Sequence, residues 1–258
     1  MANFVGIDLG TSFSVAATLD HVGMPVIVRN NEGQNLTASA VWFESEEHVL
    51  VGHEARIELS RSPDAFGVFK REMGTDKQYS AYGQTYSPTD LSAFVLTKLR
   101  QDSELAIGTI DEAVITVPAN FSHEARDATM QAAQTAGLST KHIINEPTAA
   151  ALYYAHQQGE TLHGVYAVYD LRGGTFDVSI IQVDGEDVEV LASNGIGKLG
   201  GDDFDRALQE LLRAEFKKIT SSALSDNDYT RFEAENDKIS LSLVRCLFCA
   251  PTTRMRMM

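Results

Sequence analysis

The chain has 258 residues, 43% of them hydrophobic and 22% charged, which is enough apolar material for one large or two ordinary packed domains. Its 36 acidic residues outnumber the 21 lysines and arginines, and the formal net charge of -15 disfavours binding to nucleic acid or to anionic membrane surfaces. Since no apolar run approaches the roughly 18 residues of a membrane span, no signal peptide is recognisable and only two cysteines occur, we expect a cytoplasmic protein.

Short apolar strands alternate with amphipathic helices along the chain. The predicted elements are strands over 3–9, 13–19 and 25–29, short strands around Trp42 and over 49–51, a helix over 88–105, a strand over 113–117, a helix over 122–136, a strand over 142–145, a helix over 147–158, strands over 165–171, 175–183 and 187–193, and a helix over 203–218. The buried stripe of the first helix would be Leu91, Phe94, Val95 and Leu99. The pattern predicts a mixed α/β fold in which antiparallel meanders feed crossover helices.

One unit, a strand with an Asp-Leu pair, a glycine-containing turn and a second strand, occurs twice. The copies cover 5–15 and 168–178, and a further strand follows each. They lie about 162 residues apart, beyond the roughly 20 to 50 residues of solenoid repeats. The repeat therefore predicts a duplicated domain whose two lobes face each other.

Both copies contain the groups that a phosphate site needs. Glycine and threonine in the turn expose backbone N–H groups and a hydroxyl, and the absence of bulk lets phosphate oxygens approach. Asp8 and Asp170 would lie on either side of a polyphosphate and could hold a hydrated magnesium ion. One such turn alone would more often be a plain tight hairpin, whereas the matched pair predicts a nucleotide clamp.

Six short motifs stand out in one order. They are Ile7-Asp8-Leu9-Gly10-Thr11, Lys70-Arg71-x-Met73-Gly74, Val117-Pro118-Ala119-x-Phe121, Ile144-Asn145-Glu146-Pro147-Thr148-Ala149-Ala150-Ala151, Asp170-Leu171-x-Gly173-Gly174-Thr175-Phe176-Asp177 and Leu199-Gly200-Gly201-x-Asp203-Phe204-Asp205. In order and approximate spacing they resemble the ATPase domain of the seventy-kilodalton heat-shock chaperones, over residues 3 to 242. The resemblance implies an actin-like ATPase (ribonuclease H-like) α/β fold with a first lobe over 1–160, a subdomain inserted at about 36–106, and an incomplete second lobe over 161–243.

The resemblance also implies a site for ATP or ADP with Mg²⁺. The implied nucleotide-binding residues are Gly10, Thr11, Ser12, Phe13, Gly173, Gly174, Thr175, Gly200, Gly201, Glu235, Lys238 and Ser242. The implied catalytic residues are Asp8, Lys70, Glu146, Asp170 and Thr175, with Lys70 at the γ-phosphate and Glu146 orienting the attacking water. Asp8, Asp170 and Asp177 would contact magnesium mainly through water, and Pro118 and Arg126 would relay nucleotide state. Taken alone, Lys70 and Arg126 would fit solvated helix residues, and Glu146-Pro147 would fit a plain helix start.

As a member of that family the protein would be a hydrolase of the stress response that assists protein folding through nucleotide-driven conformational change. Co-chaperones and a nucleotide-exchange factor would be its partners, and we expect this chain to lack the family's peptide-binding domain. Residues 244–258 lack acids and are rich in methionine, so we expect a non-native or disordered tail. Cys246 and Cys249 lie there and are expected to be ordinary thiols, because a zinc site needs about four ligands.

Three residues depart from the family pattern. Arg172 stands where the family has glycine, so it should strain or obstruct the second turn, or pair with a phosphate. Ile239 stands where an arginine would stack on adenine, and Ile196 where the family usually has Asp. These departures leave open a catalytically weak or inactive nucleotide-binding or partner-binding member, for which we expect weakened hydrolysis. A sugar or acetate kinase of the same fold would need a base for a hydroxyl substrate, which we do not identify.

Overall fold

The computed structural model describes residues 3–159, 161–225 and 228–243. The strands are β1 Phe4–Asp8, β2 Phe13–Leu19, β3 Pro25–Val28, β4 Thr37–Ala38, β5 Ala40–Phe43, β6 Val49–Val51, β7 Ala65–Gly67, β8 Tyr79–Ala81, β9 Gln84–Tyr86, β10 Glu112–Val117, β11 Ile143–Asn145, β12 His163–Leu171, β13 Phe176–Asp184 and β14 Asp187–Ile196. The helices are α1 His53–Glu58, α2 Pro88–Ile107, α3 His123–Thr135, α4 Glu146–Gln158, α5 Gly201–Thr220 and α6 Arg231–Leu243, with a 3-10 helix at Phe69–Glu72. The predicted mixed α/β fold is confirmed.

The first sheet has six strands. Five of them lie in the order β11-β10-β1-β2-β3, and β4 pairs with β2. The pairs β1 with β10 and β10 with β11 are parallel, whereas β1, β2 and β3 form an antiparallel meander. Because β1 and β10 run in parallel and in register, Asp8 at the end of β1 lies beside Thr116 near the end of β10. This edge of the sheet carries the first candidate turn.

The second sheet is the antiparallel meander β12-β13-β14. Its pairing repeats that of the first meander: Asp8 lies opposite Val15, and Asp170 lies opposite Asp177. Both turns therefore span the same number of residues, and the two aspartates hold equivalent positions in their hairpins.

The main core lies beneath the first sheet. Val5, Ile7 and Leu9 alternate along the start of the chain and are almost fully buried in a cluster that also includes Leu91 and Leu96 of α2. On α2 the predicted stripe is confirmed, because Leu91, Val95 and Leu99 are buried and Phe94 packs against the same cluster. Ser87 caps this helix through a reciprocal pair of hydrogen bonds with Asp90.

The second sheet is less completely covered among the described residues. A small cluster of Ala151, Leu162, Ile181 and Val183 joins α4 to one of its faces. The alternate positions of β12 are exposed, as the strand periodicity of two requires for an uncovered face. The stability of this half therefore depends on fewer apolar contacts than that of the first sheet.

Several short elements were not predicted: α1, β7, the 3-10 helix and the hairpin of β8 and β9. Each has three to six residues, too few for a period to appear in the sequence. Helix α4 begins at Glu146, one residue before its predicted start, so that Pro147 is its second residue. The predicted caps of α3 are confirmed, with Ser122 accepting a hydrogen bond from the Ala125 N–H and Gly137 in the left-handed region at φ +77°.

Candidate functional site

The two glycine-containing turns lie against each other between the sheets. A methyl group on Gly173 would come within 2.0 Å of Ser12 Oγ, and one on Gly174 within 2.5 Å of Thr11 Cγ2. Thr11 and Ser12 are consequently buried. The structure therefore brings the two predicted phosphate turns together, as facing lobes require.

Arg172 lies between the two predicted metal-binding aspartates. Its Nη1 donates to both carboxylate oxygens of Asp8, at 2.7 and 2.8 Å, and its Nε donates to both oxygens of Asp170, at 2.9 and 2.8 Å. Thr116 Oγ1 also donates to Asp8, at 2.9 Å. Although burial favours the neutral form of Asp8, the charge of Arg172 and of the nearby Lys70 holds the pKa of Asp8 below its usual value.

The expected strain at Arg172 is wrong. Among the described non-glycine residues a positive φ occurs only at Val68, Tyr82 and Ser221, so Arg172 has an ordinary backbone. Its N–H donates to the Thr175 carbonyl at 3.0 Å. The side chain extends to the two carboxylates, so the obstruction is electrostatic rather than conformational.

A buried ion pair lies beside this cluster. Lys70, from the 3-10 helix, donates through Nζ to Oε1 of Glu146 at 2.8 Å, and the two side chains are 6% and 3% exposed. Burial raises the pKa of Glu146 above its usual value, while the charges of Lys70 and Arg172 oppose that rise. Arg172 Nη1 is 3.5 Å from the same glutamate oxygen. Three carboxylates and two cations therefore share one partly enclosed site.

The start of α5 supports the second turn. The N–H groups of Gly201 and Asp202 donate to the carbonyls of Arg172 and Gly173, at 2.9 and 2.7 Å. A methyl group on Gly200 would come within 2.6 Å of the same two carbonyls. The N-terminal amides of this helix are thus bound to the turn, which fixes the turn relative to α5.

Additional contacts join the two halves of the site. Ser12 Oγ donates to Asp202 at 3.0 Å, and Arg71 Nη2 donates to the Gly174 carbonyl. Arg71 Nε is buried and has no hydrogen-bond partner among the described residues. An unpartnered cationic N–H beside a glycine turn fits an anionic ligand such as a phosphate.

Helix α6 borders a cleft at the other end of the site. The residues that line it include Thr11, Ser39, Arg56, Asp205, Phe232 and Glu235. Glu235 accepts from Arg56 at 2.5 Å, and Lys238 lies 2.5 Å from Asp205 and donates to the Gly201 carbonyl at 3.1 Å. Ser242 bonds within its own helix, to the Ile239 carbonyl. The structure thus places Glu235 and Lys238 at the cleft but pairs both with protein groups.

The remaining predicted residues surround this centre. Arg126 is half-buried, bonds Asn145 at 2.8 Å and the carbonyls of Pro118, Ala119 and Phe121, and so ties the loop after β10 to the residue before Glu146. Asp177 accepts from Asn120 at 2.9 Å, and burial raises the pKa of this carboxyl above its usual value.

The first turn is held within its own sheet. Phe13, the first residue of β2, has the Arg56 guanidinium 4.4 Å from its ring centre. Gly10 donates its N–H to Ser14 Oγ and accepts at its carbonyl from Ser39 Oγ.

The carboxylates do not fit a magnesium ion in this arrangement. Magnesium prefers carboxylate and water oxygens in an octahedral shell, but all four oxygens of Asp8 and Asp170 are bonded to one guanidinium. Nor do the described residues include a cluster of three or more His, Cys, Asp or Glu side chains suited to a metal. The predicted pairing of Asp8 with Asp170 occurs, but with Arg172 between them.

Some residues of the site were not assigned by sequence reasoning. Arg56, Asn120 and Asp202 contact predicted residues of the other lobe. Arg71 belongs to a predicted motif but had no predicted role of its own, and it bonds Gly174. Their role depends on contacts between segments 57 to 190 residues apart, which local patterns do not encode.

The model of the Hsp70 protein family matches residues 4–81 and 75–247, which together make up most of the chain. The matched ranges include both turns, Lys70, Glu146 and α6. No helix in the described part of the chain has the length and apolar character needed to cross a membrane.

Proposed function

The chain belongs to the Hsp70 family and has the actin-like fold and nucleotide-binding domain of such chaperones, and we propose that it binds ATP and ADP between its two sheets but hydrolyses ATP slowly. The observation that carries the proposal is the meeting of the two glycine-containing turns beside the buried Lys70–Glu146 pair. The unpartnered Arg71 Nε supports phosphate as the ligand of these turns.

Nucleotide binding requires the turns to separate. Gly173 and Ser12 are in contact, so the phosphates need a small opening of the two halves. Polar contacts between the halves include Ser12 with Asp202 and Arg56 with Glu235, which a phosphate or ribose could replace. Binding should therefore draw α5 and α6 away from the first sheet.

Slow hydrolysis follows from the environment of Glu146. When bound, ATP supplies the phosphoryl group that is transferred to water. Lys70 can place a positive charge at that group, and Glu146 can orient the water. However, Glu146 Oε1 is bonded to Lys70 and lies 3.5 Å from Arg172, so both cations compete with water for this oxygen. A glutamate held in this way orients water poorly.

A second candidate is a fully active ATPase that drives protein folding, and the presence of Lys70 and Glu146 in one buried pair favours it. Under either candidate, interaction with co-chaperones is expected from the family in general. A nucleotide-exchange factor, a role in the stress response and a cytoplasmic location are further parts of this proposal.

Calorimetric titration of the full chain with ADP and ATP, together with single-turnover hydrolysis, tests the proposal. We expect saturable binding of both nucleotides and slow turnover that rises at least about tenfold in Arg172→Gly. Glu146→Gln should keep nucleotide binding and abolish turnover, because the amide can still accept from Lys70 but is a poorer hydrogen-bond acceptor for water.

Lys98→Met provides a matched control. Lys98 on α2 is also largely buried and ion-paired, with Glu32 and Asp102, but lies outside the candidate site. Its replacement should leave turnover unchanged, whereas Lys70→Met should abolish it. A folded chain that binds neither nucleotide would contradict the proposal, and rapid wild-type turnover that Arg172→Gly leaves unchanged would favour the second candidate.

A further inference from the structure

Arg172 has the contacts that a cation bound between two carboxylates would have. Its guanidinium forms four short hydrogen bonds, two to Asp8 and two to Asp170. Nε reaches both oxygens of Asp170 and Nη1 reaches both oxygens of Asp8, and hydrogen bonds between charged groups are stronger than those between neutral ones. One side chain thereby joins the equivalent aspartates of the two hairpins.

The positive charge of Arg172 already neutralises much of the carboxylate charge that would attract a metal ion. With Arg172 and Lys70 present, three carboxylates face two cations; without Arg172 the same three would face Lys70 alone. A divalent ion would then have two carboxylates to neutralise. With Arg172 in place it would have to displace a guanidinium whose side chain is only 27% exposed.

The backbone holds Arg172 at this place. Its N–H donates to the Thr175 carbonyl, and its own carbonyl accepts from Gly201 at the start of α5. The side chain can therefore withdraw from Asp8 and Asp170 only by rotation into the surrounding protein or solvent. A tethered cation has a high effective concentration and competes strongly with a free one.

The guanidinium also retains donors for a ligand. Arginine has five N–H groups, and the bonds to Asp8 and Asp170 use only Nε and Nη1. No described residue accepts a hydrogen bond from Nη2. A phosphate oxygen is a favourable partner for this remaining edge.

We propose that the Arg172 guanidinium is a built-in substitute for a divalent cation between Asp8 and Asp170, so that this chain binds adenine nucleotide without a requirement for magnesium. The nucleotide part of this inference rests on the proposed function. The metal part concerns only the carboxylates and is testable without nucleotide.

The first experiment measures Mn²⁺ binding to the nucleotide-free full chain by electron paramagnetic resonance. Wild type should bind no Mn²⁺ at this site, and Arg172→Ala should gain one Mn²⁺ that the added change Asp8→Asn removes. Arg172→Lys retains a charge and should gain none. Arg206→Ala, at an exposed position of α5, makes the same change in net charge and should also gain none.

The second experiment compares the calorimetric Kd for ADP with magnesium and with a chelator. In wild type the two values should agree within about threefold, whereas in Arg172→Ala magnesium should tighten binding at least about tenfold. Circular dichroism verifies that each variant is folded. If Arg172→Ala is not folded, Arg172→Gly, which also lacks the guanidinium, takes its place in both experiments with the same expected results.

Three results would overturn the inference: an Mn²⁺ site in wild type that Asp8→Asn removes, no Mn²⁺ gained by folded Arg172→Ala, or wild-type ADP binding that depends strongly on magnesium. If wild type binds no ADP under either condition, the proposed function fails. The Mn²⁺ measurements still decide whether Arg172 substitutes for a cation.

Discussion

The two hairpin units place an aspartate at the same point of a strand pair but differ two residues later, where the first has Gly10 and the second Arg172. In the first turn a methyl group at Gly10 would come within 2.0 Å of the Phe13 carbonyl oxygen, so the backbone allows only glycine. In the second turn the equivalent position carries a long side chain on an ordinary backbone. Two similar turns thus impose different demands on one position.

The difference shows how a duplicated unit acquires an asymmetric site. Both aspartates are kept, and the residue that follows each Asp-Leu pair decides how their charge is balanced. Gly10 has no side chain that could bond Asp8. Asp8 instead accepts hydrogen bonds from Arg172, which lies in the other half of the site. The cation between the two aspartates is therefore a side chain of the second turn.

The largest expected effect in this comparison of the two turns is the loss of stability in Gly10→Ala. The added methyl would meet a backbone oxygen that no side-chain rotation can move, so we expect a loss of about 3 kcal/mol or more in unfolding free energy. Gly6→Ala is the matched control, because its nearest atom is the Ala17 carbonyl oxygen at 3.9 Å. It should change stability by no more than about 0.5 kcal/mol in urea unfolding. Equal losses in the two variants would show that the first turn does not require glycine.

A smaller effect is expected where the two turns touch. Gly173→Ala would place a methyl 2.0 Å from Ser12 Oγ and 2.5 Å from its Cβ, and should cost about 1–3 kcal/mol. Ser12→Gly removes those atoms together with the bond to Asp202. In thermal unfolding the double variant should be more stable than the sum of the single losses by at least about 1 kcal/mol. Strict additivity would mean that the turns are not in contact in solution.

Sequence patterns could predict the elements and the paired turns because those depend on neighbouring residues. The stripe of Leu91 and Leu99, the caps of α3 and the repeated Asp-Leu turns all follow from spacings of a few positions. The short α1 and β7 have no such spacing, although they frame the cleft beside α6.

The partners of Arg172 could not be predicted in the same way. A flexible side chain can reach any acceptor within its length, and Asp8 is 164 residues away in sequence. The wrong expectation of strain followed from the position of Arg172 within its own turn. In the structure its partners are set by the packing of one half of the molecule on the other, which no local pattern contains.

The smallest predicted effect is a difference between the coupling energies of Arg172 with Asp8 and with Asp170, which lie at different distances from Arg172 in sequence. Asp170 is two residues away, so part of its attraction to Arg172 persists in the unfolded chain, whereas the attraction of Asp8 exists only after folding. Double-mutant cycles of Arg172→Met with Asp8→Asn and with Asp170→Asn should therefore give unequal coupling energies in urea unfolding. We expect about 1 kcal/mol for Asp8 and about 0.5 kcal/mol for Asp170, since all three side chains are roughly a quarter to a third exposed. A larger coupling for Asp170 would mean that Arg172 stabilises its own turn rather than the contact between the two halves.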